Sequence, residues 1–316
     1  MNRFLGWVLL ACCSPLLAQQ SPVDVRVSPV PLAPGGKIPE DLRTESVFLN
    51  PETQELLVVT DRAGAIANPI AFQLHNQAIP SVISKITIVP SGGYLYEYVI
   101  GSSTRSRGPM EKWSLLIAAE DPLFSCELPP AWRVETENTL MVERAASKHA
   151  PLRYVHFVAG AGAEIGPGTA KNGLRVRSSN LPGYVTAFAR SKVDRPFSAQ
   201  AVLNLPEAAR AKLSVATSPE WDSQLRLVIG PRFLPGTDTI AIAASFHYAI
   251  QYFLNQKELS PDSGFVKDAL ASLTAYIEGS TGGPFGASRL SFAASAKTPL
   301  EEEMAEAMAV SLNSGR

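Results

Sequence analysis

Between about residues 47 and 190 the chain is a succession of short apolar runs, most of them closed by Gly, Pro, Ser or Asn. In the clearest of them, residues 82–89, Val82, Ser84, Ile86 and Ile88 alternate with Ile83, Lys85, Thr87 and Val89. Pro90-Ser91-Gly92-Gly93 then supplies a turn, and Tyr94-Leu95-Tyr96-Glu97-Tyr98-Val99-Ile100 resumes the pattern. A period of two puts successive side chains on opposite faces, which is the signature of a strand. Further runs stand at residues 47–49, 56–59, 113–118, 154–158, 174–177 and 184–188. Short strands at regular intervals with turn residues between them predict an antiparallel β-sandwich, immunoglobulin- or fibronectin-like, over residues 41–195. The composition agrees: 25 prolines and only 18% charged residues suit a loop-rich β protein better than a charged helical one.

The N-terminus has a different character. Arg3 precedes the apolar run Phe4-Leu5-Gly6-Trp7-Val8-Leu9-Leu10-Ala11-Cys12-Cys13, which ends at Ser14-Pro15 and the small-residue site Leu16-Leu17-Ala18. A basic start, a short apolar core and a small residue before a polar one make a secretory signal peptide over residues 1–18. The run is too short for the roughly 20 residues a membrane-spanning helix needs, so no transmembrane helix is expected in the mature form. Cleavage after Ala18 predicts an exported protein, periplasmic or extracellular. An alternative reads Leu9-Leu10-Ala11-Cys12 as a lipoprotein box, with the chain anchored at Cys12. Residues 19–40 carry Pro22, Pro29, Pro31, Pro34, Gly35, Gly36 and Pro39 and read as an extended linker. Cleavage removes Cys12 and Cys13, so the mature chain keeps Cys126 alone and no internal disulfide is expected. In Phe124-Ser125-Cys126-Glu127-Leu128, strand spacing places the thiol beside apolar neighbours, as for a buried, inert cysteine.

The segment of residues 94–100, Trp113-Ser114-Leu115, Pro129-Pro130-Ala131-Trp132, Ile165-Gly166-Pro167-Gly168 and Ser178-Ser179-Asn180-Leu181-Pro182-Gly183 together resemble a β-sandwich module of uncharacterised secreted bacterial proteins. The resemblance covers about residues 70–190, with Gly101-Ser102-Ser103 where the module would have an Asn. It implies the fold and export, and no activity.

Beyond residue 196 helical spacing takes over, and the region 196–316 is expected to be α-helical or α+β. Residues 206–213 form a short helix candidate opened by Pro206, and residues 225–229 a strand. Ile240, Ala243, His247, Ile250 and Leu254 mark a buried helix near 239–255, with Phe246 and Phe253 widening its face. Val266, Leu270, Leu273 and Ile277 mark a second near 264–278. Thr298-Pro299-Leu300-Glu301 is a capping box that opens a third near 299–312.

Motifs for chemistry are scarce. The sequence has no Gly-x-Ser-x-Gly elbow and no His-Glu-x-x-His pair, and His75, His149, His156 and His247 are scattered. Gly160-Ala161-Gly162 lacks the third glycine of a dinucleotide fingerprint. These readings predict no metal and no cofactor. The formal net charge of −1 argues against nucleic acid as a partner. Glu301-Glu302-Glu303 reads as charges favourable to the first turn of a helix. The candidate ligand-binding residues are Tyr94, Tyr96 and Tyr98, on one face of a strand, where exposed rings would stack on sugars and buried ones would pack the core. Trp113 and Trp132 carry the same two readings.

Three functions remain open: a non-catalytic binding or scaffolding module meeting a cell-envelope polymer or protein, a secreted hydrolase assembled from distant residues, and an assembly protein acting through its C-terminal helices. Two or more of Asp121, His149, His156 and Asp194 in one cleft would favour the hydrolase. An exposed apolar stripe on residues 239–278 would favour assembly.

Overall fold

The computed structural model describes residues 26–27, 47–50, 53, 55–58, 61–62, 65–66, 70–141, 152–193, 207–217, 223–279 and 294–314. The expected signal peptide lies outside them. So does the expected linker apart from Arg26–Val27, which forms a short strand, β1, beside β2 in the one parallel pairing among the described residues.

The protein is mainly β, with antiparallel sheets and most of its helix in the C-terminal part. A small sheet has the order β1-β2-β3-β6, from β2 (Val47–Asn50), β3 (Glu55–Val58) and β6 (Ile70–Gln73). A two-stranded hairpin, β4 (Asp61–Arg62) with β5 (Ala65–Ile66), branches from it in sequence. Two larger sheets follow. The four-stranded sheet has the order β10-β13-β8-β7, from β7 (Pro80–Ile88), β8 (Tyr94–Ser102), β10 (Ser125–Glu127) and β13 (Ala170–Ser178). The five-stranded sheet has the order β11-β12-β9-β14-β15, from β9 (Met110–Ala118), β11 (Trp132–Met141), β12 (Leu152–Ala159), β14 (Leu181–Ser191) and β15 (Gln224–Phe233). The helices are α1 (Glu207–Ala216), α2 (Thr239–Asn255), α3 (Gly264–Ile277) and α4 (Pro299–Ser314).

The β7–β8 hairpin forms as its alternation predicts. Its turn needs glycine: Gly92 and Gly93 have φ of +97° and +81°, and a Cβ on Gly93 would sit 2.5 Å from the Ser178 carbonyl oxygen. Ile86 lies opposite Tyr96, and Val176 lies opposite it on the other side, so β7, β8 and β13 present one apolar face. The facing sheet contributes Trp113, Leu115, Val155, Phe157, Val185 and Ala187 to the same core. Both sets are almost free of solvent, which makes this shared core the main apolar burial of the fold.

The C-terminal region does not stand apart from the sheets. β15 pairs with β14 along nine residues, crossing the boundary expected near residue 195. Ile242, Phe246, Phe253, Phe265, Leu273, Met304 and Met308 from the helices belong to the core of the two large sheets. The physical reason lies in β14, whose faces are both apolar: Val185, Ala187 and Ala189 face inward, while Tyr184 and Phe188 face out and need cover. Tyr184 receives it from α2, its ring meeting Phe246 and Phe253 edge-on at 6.1 and 5.2 Å between centroids. The buried face of α2 is Ile242, Ala243, Phe246, Ala249, Ile250 and Phe253, while Ile240 of the expected stripe is exposed and His247 and Leu254 are half-buried. Separately, Ala209, Leu213 and Ala216 of α1 pack on Val47, Leu56, Val58, Phe72 and Leu74 in a satellite core.

At the start of α4 the capping box forms as written. The Glu301 amide donates to Thr298 Oγ1 at 3.3 Å, and Glu301 Oε2 accepts from the Thr298 and Lys297 amides at 3.0 and 2.8 Å. Burial pushes the Glu301 carboxyl up, but these bonds and one from Ser263 outweigh it and hold the carboxyl below its usual range. Its contribution to stability is thus present above the ordinary glutamate range and lost as pH falls through the lowered value. The expected result for Glu301→Ala is a loss of about 1 kcal/mol at neutral pH that shrinks in acid, read from urea midpoints.

Candidate functional site

The three tyrosines share one face of β8, as their spacing predicts, and that face is the inner one. Tyr96 and Tyr98 are 0% and 1% exposed, and Tyr96 Oη donates to the Asn180 carbonyl at 2.7 Å. Burial raises both phenols far above their ordinary range. Neither ring has a surface to offer a sugar, so the stacking platform gives way to core packing at these two positions. Tyr94 is half-buried and lies 6.5 Å from the Tyr96 ring. Trp113 is fully buried; Trp132 is nearly so, its Nε1 donating to the Ala163 carbonyl at 3.1 Å.

Of the acid–base candidates, the two described ones, Asp121 and His156, engage separate partners. His149 and Asp194 lie outside the described residues. Asp121 is a structural clamp: it accepts from the amides of Leu123 and Ser179 at 3.0 Å each, and from the hydroxyls of Ser178 and Ser179. It thereby ties the turn after β9 to the turn between β13 and β14. His75 Nδ1 meets the Arg190 guanidinium at 2.7 Å. His247 is half-buried on α2, and burial lowers its pKa. Cys126 is half-buried against the core, and burial lifts its thiol to about 11 against a smaller pull from Arg153. That thiol stays protonated at neutral pH and is a poor nucleophile.

One constellation was not legible in the sequence. Register places Glu135, His156, Ser114 and Phe188 in a row across β11, β12, β9 and β14, on the outer face of the five-stranded sheet. His156 Nδ1 and Ser114 Oγ are 2.7 Å apart. Tyr154 stacks on His156 at 5.8 Å and meets Phe188 edge-on at 5.4 Å. A serine hydroxyl bonded to an imidazole is the opening requirement of nucleophilic catalysis. Here, however, Ser114 is 3% exposed and His156 7%, and Ser114 sits in mid-strand between Trp113 and Leu115. A substrate carbonyl has no approach to Oγ. The pair acts as a buried polar contact beside an apolar layer of Leu116, Leu152, Tyr154 and Phe188. Ser114→Ala is expected to cost about 1 kcal/mol in a urea melt. In the sequence Ser114 signals nothing by itself, since a lone serine between apolar strand residues carries no motif.

The outer face of the four-stranded sheet is the opposite case. Arg175 Nε bonds Glu97 at 2.8 Å and its Nη1 bonds Glu127 at 3.2 Å, so one guanidinium joins β8, β13 and β10. Arg177 donates to Ser91 Oγ at 2.7 Å. On the same face Ile83 and Val99 lie directly opposite each other, 60% and 39% exposed. This face mixes fixed charge with accessible apolar surface.

Among the described residues no group of three or more His, Cys, Asp or Glu side chains is placed to hold a metal ion, and no helix is long and apolar enough to cross a membrane. Compared with known proteins, the chain matches no family model and has no significant similarity to a curated protein.

Proposed function

We propose that the chain is an exported, non-catalytic binding or scaffolding protein of the cell envelope, built on an immunoglobulin- or fibronectin-like sandwich. Its contact surface is the outer face of the four-stranded sheet. Two antiparallel sheets sharing one core support the sandwich reading. The basic start, short apolar run and small-residue site of residues 1–18, which read as a signal peptide, support export. The observation that carries the binding reading is the contrast between the two sheets: α2 covers Tyr184 of the five-stranded sheet, whereas the four-stranded sheet leaves Arg175, Glu97, Ile83 and Val99 open. Exposed apolar residues beside an ordered charge network are what a recognition face needs.

The test is co-sedimentation of the mature protein with purified cell walls and with outer-membrane vesicles, comparing wild type with an Ile83→Glu/Arg175→Glu variant whose fold is checked by circular dichroism. A folded variant is expected to bind at least about tenfold more weakly, a loss of about 1.4 kcal/mol. Equal binding by both proteins would remove the face from the proposal, and no binding by either would remove the function.

The hydrolase is the second reading, and it requires the buried Ser114–His156 contact to open to a substrate. An esterase and peptidase panel that loses activity with Ser114→Ala, in protein of unchanged circular dichroism, would move the assignment there.

A further inference from the structure

β7 is one edge of the four-stranded sheet and β15 one edge of the five-stranded sheet, and α4 lies against both. The two edges are closed by side chains. Arg226 of β15 donates to the Pro80 carbonyl at 3.1 Å, and Glu303 of α4 accepts from the Ser84 amide at 3.2 Å. The backbone amide of Ile229 in β15 also bonds the Glu303 carboxylate. One carboxylate thus occupies the edge groups of both sheets.

Three hydroxyls are buried around it. Tyr98 Oη and Tyr184 Oη have no hydrogen-bond partner among the described residues, whereas Ser84 Oγ already pulls on the Glu303 carboxyl without a bond of good geometry. Both phenols interact electrostatically with Glu303. Tyr98 Oη lies beside Gly230, where an added Cβ would stand 2.7 Å from Val185 Cγ2 and 3.3 Å from the hydroxyl. Buried hydroxyls are nearly always bonded, because one left unbonded keeps its full desolvation penalty. A carboxylate has about four acceptor sites, and two backbone amides leave some unfilled. Water is the ligand that fits, since a buried water joins about three such groups.

We propose that Glu303, Ser84, Tyr98 and Tyr184 enclose an internal water site between the sheet edges and α4, and that ionisation of Glu303 in this site loosens the helix from both edges. The proposal is independent of the binding face. Burial lifts the Glu303 carboxyl to about 7, against the opposing pull of Ser84 and Ile229. The titratable groups acting on it are Glu306 on its own helix, Tyr98 from β8 and Tyr184 from β14; β7 and β15 present Ser84 and backbone amides. No basic side chain among the described residues offsets its burial. Charging it therefore places an uncompensated anion at the helix–sheet contact.

Hydrogen exchange on the full chain tests this, corrected for intrinsic rates. From pH 5.5 to 8, protection of peptides covering 80–88, 224–233 and 299–314 is expected to fall on the order of tenfold for one unit of pKa difference. Protection of 264–277, which carries none of the groups acting on Glu303, is expected to hold. Glu303→Gln, which keeps the shape of the protonated acid, is expected to hold protection throughout. A pH-independent wild type, or a fall shared by all four peptides, overturns the latch. If the variant does not fold, the comparison among peptides of the wild type decides alone. For the water site, a crystal structure at acid pH is expected to show water bonded to Glu303 and at least one phenol; a dry site or a direct Tyr–Glu contact overturns it.

Discussion

Truncating Tyr96 to alanine is expected to lower stability by about 4 kcal/mol, the usual cost of deleting a fully buried aromatic side chain. The ring is 0% exposed and sits between Ile86 and Val176 on the inner face of its sheet. The loss has a second part, because the Asn180 carbonyl gives up the phenol at 2.7 Å. Tyr96→Phe separates the parts: it keeps the packing and is expected to cost only about 1 kcal/mol. Urea unfolding of the three proteins is the measurement. A Tyr96→Ala protein as stable as wild type would return the ring to the surface and reopen the stacking reading.

The second large effect is a dependence on pH. The Glu303 carboxyl moves from an ordinary 4.5 to about 7 on folding, chiefly because burial penalises its charge. Between those values the folded chain holds a proton that the unfolded chain has released. Raising the pH then favours the unfolded side, so stability falls from about 4.5 upward and levels off above 7. At 1.36 kcal/mol per unit the ceiling is about 3 kcal/mol. Glu301 runs in the opposite sense at lower pH, so wild type alone gives a mixed profile. The difference between wild type and Glu303→Gln isolates the one group. The variant is expected to equal wild type near pH 4.5 and to exceed it by up to about 3 kcal/mol at pH 8. A difference that stays constant with pH would mean that Glu303 titrates normally.

These two sites show what a sequence of this kind makes legible. Alternation around Tyr94, Tyr96 and Tyr98 gave their common face, because strand geometry is local. It did not say which face was inside, since both sides of β8 carry residues of mixed polarity. The helices at the C-terminus were readable from stripes such as Val266, Leu270 and Leu273 for the same local reason. Their attachment to the sheets was not, because it depends on β15 joining β14 and on Tyr184 needing cover. The acidic triplet divides in the same way. Glu301 does what its position three residues after Thr298 announces. Glu303 leaves the helix-start reading altogether, for its partner Ser84 is 219 residues away. The Ser114–His156 contact spans 42 residues, with register as its only cause. Pairings of that kind follow from the completed sheets and leave no local trace.

The placement of Glu303 also sets an order of events. α4 follows every strand along the chain, so the edges of both large sheets are complete before the side chain that closes them has emerged. During that interval each edge offers free amides and carbonyls to any neighbouring chain. For a chain passing through a narrow pore one segment at a time, the most exposed moment falls just before the last helix arrives.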